Sequence, residues 1–278
     1  MSVLWFTVGV FFTSILAGLL GALTGLGGGV VIIPVLCLLF KVDLHYAIGA
    51  SLISVIATSS GAAAAYVREG YSNIRIGMFL EVATTAGALL GAYLTAKVSG
   101  NWIGVTFGIV LLYSAWTTLH KTLLRQISRS PHTWAIRLKL KGSYPVTGGK
   151  EDYVAEHISA GFWIMFVAGT LSGLLGIGSG AVKVLAMDQV MNLPYKVATT
   201  TSNFMIGVTA AASTGFYLSR GYILPGVAMP VMLGVLAGSL VGSRFLVITH
   251  VKVLRLIFST VIVGLAVQMI YSGVTGRF

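Results

Sequence analysis

Long apolar stretches, almost free of charged residues, run through the whole of this sequence. Only 9% of its residues are charged, against about 25% in a soluble domain, so lipid is the expected solvent for most of its surface. A membrane-spanning helix needs roughly 20 mostly apolar residues. The second and seventh apolar segments are too short for a full crossing, as half-crossing or re-entrant helices would be. The ten segments are residues 4–24, 29–41, 46–66, 75–97, 101–120, 158–175, 179–192, 196–218, 223–247 and 252–274.

Two glycine clusters divide the chain into related halves. Gly25–Gly29 and Gly176–Gly180 lie 151 residues apart, and the same shift aligns Ser51 with Ser202. These matches predict an all-α polytopic membrane protein built from two repeats of about five helical segments, each with a Gly-rich broken or re-entrant helix. The predicted domains are an N-terminal transmembrane repeat (1–120), a basic cytoplasmic loop (121–157) and a C-terminal transmembrane repeat (158–278).

The distribution of basic residues orients the two halves. Residues 121–157 contain seven Lys and Arg side chains, which is typical of a cytoplasmic loop. If each broken pair of segments makes an even number of crossings, 13 Lys and Arg lie inside and 4 outside, whereas a single crossing gives 11 and 6. The first arrangement, in which the repeats are inverted, obeys the positive-inside rule better. Because the basic loop lies between membrane segments, nucleic acid is not an expected partner.

The glycine clusters are candidate substrate sites. Each glycine destabilises a helix by around 1 kcal/mol relative to alanine, and a break leaves backbone N–H groups that lipid cannot satisfy. A short helix that begins after such a break offers these donors to an anion, and paired broken helices in inverted halves mark a transporter's central site. The alternative is close helix packing, which we favour for Gly87, Gly91, Gly238 and Gly242. A dinucleotide fingerprint at the second cluster is disfavoured because no βαβ unit surrounds it.

Two ionisable side chains fall inside apolar segments. Lys183 follows the second cluster by three residues, and a lysine at membrane depth is a functional candidate by default. It is expected either to neutralise an anion, to pair with Asp188, or to extend its ammonium to the interface. Glu81 is either a proton carrier or a paired structural carboxylate. Glu81 and Asp188 are therefore the candidates for proton coupling.

Polar side chains follow each glycine cluster on the third segment of each half. Hydroxyl and amide groups can coordinate an oxyanion without a fixed charge, although each can also bond to its own helix. The predicted substrate-binding residues are Gly27, Gly28, Gly29, Ser51, Gly178, Ser179, Gly180, Lys183, Thr201, Ser202 and Asn203.

Enzymatic motifs are missing from the sequence. It contains no HExxH motif, no Ser-His-Asp layout and no His cluster with metal-ligand spacing. The single cysteine, Cys37, excludes an internal disulfide and a cysteine metal cluster. We expect no catalytic residue, no metal and no cofactor.

Three stretches resemble the sulfite exporter TauE/SafE family, also called the 4-toluene sulfonate uptake permease (TSUP) family. They are residues 21–34, 173–183 and 198–209. The resemblance implies movement of small sulfur-containing or organic anions, such as sulfite or sulfonates, across the cytoplasmic membrane. The sequence departs from the family pattern at Ser179, where glycine is usual, and at Leu185, where a proline would mirror Pro34. The resemblance leaves the anion, the direction and the coupling ion open.

Taken together, these features predict a secondary transporter for a small oxyanion held between the two glycine clusters, and the resemblance to an exporter family favours export. One half would rock against the other to alternate access. An uncoupled anion channel and a non-transport membrane scaffold are the alternatives. The expected location is the cytoplasmic membrane with loop 121–157 inside. The expected partners are the anion and the lipid bilayer, and the protein is either a monomer or a homodimer.

Overall fold

The computed structural model describes residues 3–24, 28–68, 72–119, 140–146, 149–245 and 251–276, which fold into ten α-helices and one hairpin. The mostly helical architecture is therefore confirmed. The helices are α1 (Val3–Thr24), α2 (Gly29–Leu38), α3 (Leu44–Arg68), α4 (Ile74–Thr95), α5 (Gly100–Leu119), α6 (Ile158–Leu175), α7 (Gly180–Leu185), α8 (Tyr195–Ser219), α9 (Pro225–Phe245) and α10 (Val251–Val274). A π-helical turn, Ala186–Val190, extends α7, and the strands are β1 (Lys141–Val146) and β2 (Gly149–Val154).

Three helices in the described residues are long and apolar enough to cross a membrane, by length and composition alone. They contain the stretches Leu4–Gly21, Ile74–Thr95 and Ile158–Leu175. Large apolar side chains on their outer faces are exposed, as lipid contact requires. Trp5, Trp102 and Trp163, near helix ends, are each about two-thirds exposed, which suits an aromatic belt at the membrane interface.

The two helices that follow the glycine clusters are short. Helix α2 has 10 residues and α7 has 6, so neither can span a bilayer unaided. Helix α6 ends at Gly176 with a positive φ of 67°, a conformation in which glycine commonly closes a helix. Gly178 (φ 71°) and Ser179 (φ 45°) continue the reversal, and α7 begins at Gly180.

Helices of the first half pack mainly against helices of the second. Helix α1 packs on α9, α4 on α6, α3 on α8 and α5 on α10. The pairing is reciprocal, because a shift of 151 residues converts the pair α1–α9 into α6–α4. The same shift converts the contact of α3 with α9 into that of α8 with α4.

Glycines let the paired helices approach until their backbones touch. A Cβ atom on Gly87 or Gly91 of α4 would overlap the carbonyl oxygens of Phe166 and Thr170 of α6. On the other pair, a Cβ atom on Gly238 of α9 would overlap the carbonyl oxygen of Ile15 of α1. The close-packing interpretation of these three glycines is thus confirmed.

An antiparallel hairpin, β1–β2, lies inside residues 121–157, which were predicted only as a basic loop. Asn73 links it to the helices: its Nδ2 donates to the Tyr153 hydroxyl at 2.9 Å, and its Oδ1 accepts from the Ile76 N–H at 3.1 Å and so caps α4. Burial raises the pKa of Tyr153, and the hydrogen bond from Asn73 opposes that rise. The hairpin is therefore fixed to the start of a predicted membrane helix.

Candidate functional site

The two glycine clusters meet inside the protein. Ser51 of α3 is fully buried, and its Oγ donates to the Gly176 carbonyl oxygen at 2.8 Å. Gly29 lies on the other side of this bond, since a Cβ atom placed on it would run into Ser51 Oγ and reach the Gly176 carbonyl. The start of α2 and the end of α6 are therefore joined across the two halves through one hydroxyl group. We call this contact the glycine junction.

Val55, one turn after Ser51 on α3, packs between the two clusters. Its methyl groups face the Cα atoms of Gly29 and Gly178 closely enough that a Cβ on either would crowd them. Glycine is required at Gly178 for a second reason, its positive φ of 71°. The junction thus depends on small residues from both halves.

Ser179 and Gly180 form the second side of the junction. Ser202 of α8 donates to the Gly180 carbonyl oxygen at 3.3 Å. Ser179 adopts a left-handed backbone (φ 45°), which a residue with a side chain rarely takes. Its Oγ is buried and, within the described part of the chain, has no hydrogen-bond partner.

A cavity of about 20 Å³ lies against Ser179, and its walls come from α2, α5 and the second glycine cluster. Val30 and Leu111 contribute apolar surface to it, whereas Ser179 contributes a hydroxyl. The volume is sufficient for about one water molecule. Among the described residues, this cavity beside the junction is too small for a substrate anion.

Lys183 and Glu81 are connected through a single threonine. Lys183 Nζ donates to Thr209 Oγ1 at 2.5 Å, and the Thr209 hydroxyl donates to Glu81 Oε1 at 2.6 Å. Thr85 also donates to Glu81 Oε1, at 3.2 Å. Lys183 and Thr209 are fully buried, and Glu81 is 5% exposed. We call Glu81, Lys183 and Thr209 the buried triad; it joins α4 of the first half to α7 and α8 of the second.

The second oxygen of Glu81, Oε2, is buried and has no hydrogen-bond partner among the described residues. Burying an ionised carboxylate is costly unless it is paired and hydrogen-bonded. The Lys183 ammonium, one hydroxyl away, supplies the compensating charge.

The two charged residues of the buried triad have no charged counterpart in the other half. The shift of 151 residues aligns Lys183 with Ile32, Thr209 with Thr58 and Glu81 with Met232. Within the described residues, Thr58 bonds to the carbonyl oxygens of Ser54 and Val55 on its own helix. The charge is thus concentrated on one side of a pairing that is otherwise reciprocal.

The other predicted binding residues fall in different places. The Thr201 hydroxyl accepts from the Asn73 N–H at 3.0 Å, at the start of α4. The Asn203 backbone carbonyl accepts from Ser59 of α3. Gly28 begins α2 and packs against Val235 of α9. Gly27 lies outside the described residues.

For Lys183, the structure records a bond to Thr209 in the protein interior, so the ammonium does not extend to the interface. Asp188 lies partly buried on the π-helical turn after α7.

Two residues of this region, Thr85 and Thr209, were not predicted as site residues. Both positions carry a sequence signal. Thr85 follows Glu81 by four residues and so shares its helix face. Thr209 follows Ser202 by seven residues, two turns along the same face of α8.

Comparison with known proteins places this geometry in a family. The family model described as "Sulfite exporter TauE/SafE" matches residues 10–269. A probable membrane transporter protein, YunE of Bacillus subtilis, is 29% identical over 267 residues, which cover 94% of this chain and 96% of that protein. A second one from the same organism, YdhB, is 26% identical and covers 85% of this chain and 87% of its own length.

A probable membrane transporter protein of Xylella fastidiosa is 24% identical over 91% of this chain and 92% of its own length. No solved structure matches the chain. These relatives are named probable membrane transporters and match this chain over nearly their whole length. Three described helices are long and apolar enough to cross a membrane. This chain is a membrane protein that belongs to the sulfite exporter TauE/SafE family.

Proposed function

We propose that this protein is a secondary transporter that exports small sulfur-containing or organic anions, such as sulfite or sulfonates, across the cytoplasmic membrane. The glycine junction is the observation that carries the proposal. It brings the broken helices of both halves together in the interior, with a buried lysine one turn into the second short helix. Discontinuous helices that meet near the middle of a membrane protein are the usual setting of a transporter's substrate site.

Inverted repeats are part of this proposal. The reciprocal pairing of helices, with α1–α9 matching α6–α4, is what two related halves facing each other would produce. The basic loop 121–157 then lies in the cytoplasm, and α2 and α7 are re-entrant or half-crossing helices. Rocking of one half against the other opens the junction to each side in turn.

The substrate anion binds at the glycine junction in the open form. Backbone N–H groups of Gly28, Gly29 and Gly180 are the proposed donors, and Gly178 and Ser179 shape the cradle. Ser51 and Ser202, which now bond to carbonyl oxygens, turn toward the anion when it enters. Lys183 supplies the positive charge. Thr201 and Asn203 lie further away and are proposed to act through the positions of α4 and α3.

Reconstitution in liposomes tests the proposal. Purified protein should give saturable flux of at least one labelled anion among sulfite, sulfoacetate and thiosulfate. Exchange of internal for external anion should be faster than net movement if the protein is a carrier, whereas a channel gives non-saturating flux that follows the membrane potential. The absence of both flux and binding for all three anions contradicts the proposal.

A further inference from the structure

The buried triad contains more than anion binding requires. Lys183 supplies a positive charge for an anion, yet the chain also buries Glu81 opposite that charge. A carboxylate close to an anion site repels the anion. Its second oxygen, Oε2, is left without a hydrogen-bond partner among the described residues. The buried Glu81 carboxylate therefore needs an explanation other than anion binding.

We propose that Glu81 takes up the proton that travels with the anion, and that Lys183 exchanges its link to Glu81 for the anion when this happens. The inference rests on the proposed transport function and adds the coupling ion to it. Thr209 is the positioning residue, because its hydroxyl accepts from Lys183 and donates to Glu81.

Charge neutrality in a low-dielectric interior gives the physical reason. With Glu81 ionised and no anion, the triad is neutral. With Glu81 protonated and a monovalent anion on Lys183, it is neutral again. The mixed states carry a net charge of one sign or the other, and an uncompensated buried charge is strongly disfavoured. Proton and anion therefore bind together and leave together, so export proceeds when the outward anion gradient is steeper than the inward proton gradient.

The cycle moves one proton from one solution to Glu81 and from Glu81 to the other solution. A proton from the entry side forms an O–H bond at Glu81 Oε2, and the carboxylate becomes a neutral acid. The Lys183 ammonium keeps its proton and binds the anion. After the protein opens to the other side, the anion leaves, the O–H bond breaks, and the proton enters the solvent as the link through Thr209 forms again.

Few other charges face Glu81. Helix α6, which packs on α4, contains no titratable residue. Helix α8 carries Tyr195 and Lys196 at its start and Tyr217 near its end, and Asp188 lies beyond α7. Among the described residues, Lys183 is the charged group that acts on Glu81.

The test uses liposomes and the anion among sulfite, sulfoacetate and thiosulfate that the wild type carries. With the membrane potential clamped, a gradient of one pH unit supports at most about tenfold accumulation for one proton per anion. Glu81→Gln resembles the protonated state, so we expect anion exchange to persist and accumulation driven by the pH gradient to disappear. Glu151→Gln, the same change in the hairpin, should accumulate the anion like the wild type.

The outcomes separate the two proposals. Loss of saturable flux in the wild type overturns both of them. Flux in the wild type, together with equal pH-driven accumulation in Glu81→Gln, overturns the coupling role alone. If Glu81→Gln does not fold, Thr209→Val is compared with Thr58→Val at the equivalent position. We expect a several-fold loss of pH-driven accumulation only in Thr209→Val, and equal accumulation in these two variants overturns the proposal.

Discussion

Ser51 and Gly29 show how single residues build the glycine junction. The Ser51 hydroxyl occupies the space that a Cβ atom on Gly29 would need, and it satisfies a carbonyl oxygen at the end of α6. Gly176 is buried and lipid offers no hydrogen-bond donor, so the bond to its carbonyl comes from the protein. The two residues therefore act as a unit.

Substitution of Gly29 by alanine tests this pairing. Gly29→Ala should destabilise the protein by about 1–3 kcal/mol because the new methyl group displaces Ser51. Ser51→Ala alone should cost about 1 kcal/mol for the lost bond. In Gly29→Ala/Ser51→Ala the overlap is relieved, so the double variant should unfold at a higher temperature than the sum of the single effects predicts. Additive shifts in thermal unfolding in detergent would contradict the geometry.

The stability contributed by each charge of the buried triad should likewise depend on the other charge. Lys183→Met leaves Glu81 buried without its cation, and loss of one partner of a buried pair typically costs about 3–5 kcal/mol. Glu81→Gln/Lys183→Met removes both charges and should regain a large part of that stability. We expect anion binding to be lost in both variants, measured on protein of confirmed size-exclusion profile. Unchanged binding in Lys183→Met excludes Lys183 from the site.

At the scale of helices, the molecule relies on backbone contact between α4 and α6. Gly173 of α6 lies against the backbone of Ala88, and Gly169 lies against that of Thr84. Such contact strengthens helix association in a membrane, where the hydrophobic effect contributes little. The pair α1–α9 has the same type of contact, through Gly18 and Gly238.

Glycine-to-alanine substitutions should therefore have opposite effects at two places. Gly173→Ala should lower the unfolding temperature markedly, because the new methyl group would overlap the Ala88 carbonyl and separate the helices. Gly264→Ala on α10, where no described neighbour lies within 4 Å of the added Cβ atom, should be neutral or stabilising by up to about 1 kcal/mol. Equal effects of the two substitutions would rule out close packing as the reason for Gly173.

The hairpin offers a second test at this scale. Asn73→Ala removes the cap of α4 and the bond to Tyr153, and should cost about 1–2 kcal/mol. Tyr153→Phe removes only the hydroxyl and should cost less. Proteolysis within the hairpin should become faster in both variants if the Asn73–Tyr153 bond holds it in place, and unchanged cleavage would argue against that role.

The elements could be predicted from the sequence to different degrees. Apolar segments gave the helices to within a few residues, because burial in lipid or protein imposes the same composition along each one. The hairpin was missed because Pro145 and the charged residues Lys150–Asp152 are unusual in strands. The glycine junction was expected as a meeting of two breaks. Its bond from Ser51 to Gly176 could not be foreseen, since it depends on how α3 crosses α6.

The buried triad illustrates the limit of sequence reasoning. Lys183 and Glu81 stood out as charges within apolar segments. Their connection through Thr209 depends on the packing of α4 against α8, which no local pattern records.

At the scale of the whole molecule, the proposal of inverted repeats predicts which ends of the helices face each solution. Single cysteines introduced at Lys41, Lys97 and Arg220, in a Cys37→Ala background, should react with an impermeant thiol reagent on intact cells. A cysteine at Lys150 should react only after the membrane is opened. Labelling of the cysteine that replaces Lys150 on intact cells contradicts the proposed orientation. So does labelling of the other three cysteines only after the membrane is opened.

If the two glycine breaks form one anion site, a bound anion should be found between them in a crystal structure. Selenite is a heavier analogue of sulfite whose anomalous scattering reveals its position in a crystal. We expect a selenite peak between Gly29 and Gly180, within reach of Lys183, and the loss of that peak in Glu81→Gln/Lys183→Met. A peak bound elsewhere in a protein that transports sulfite, with the junction empty, would contradict this expectation.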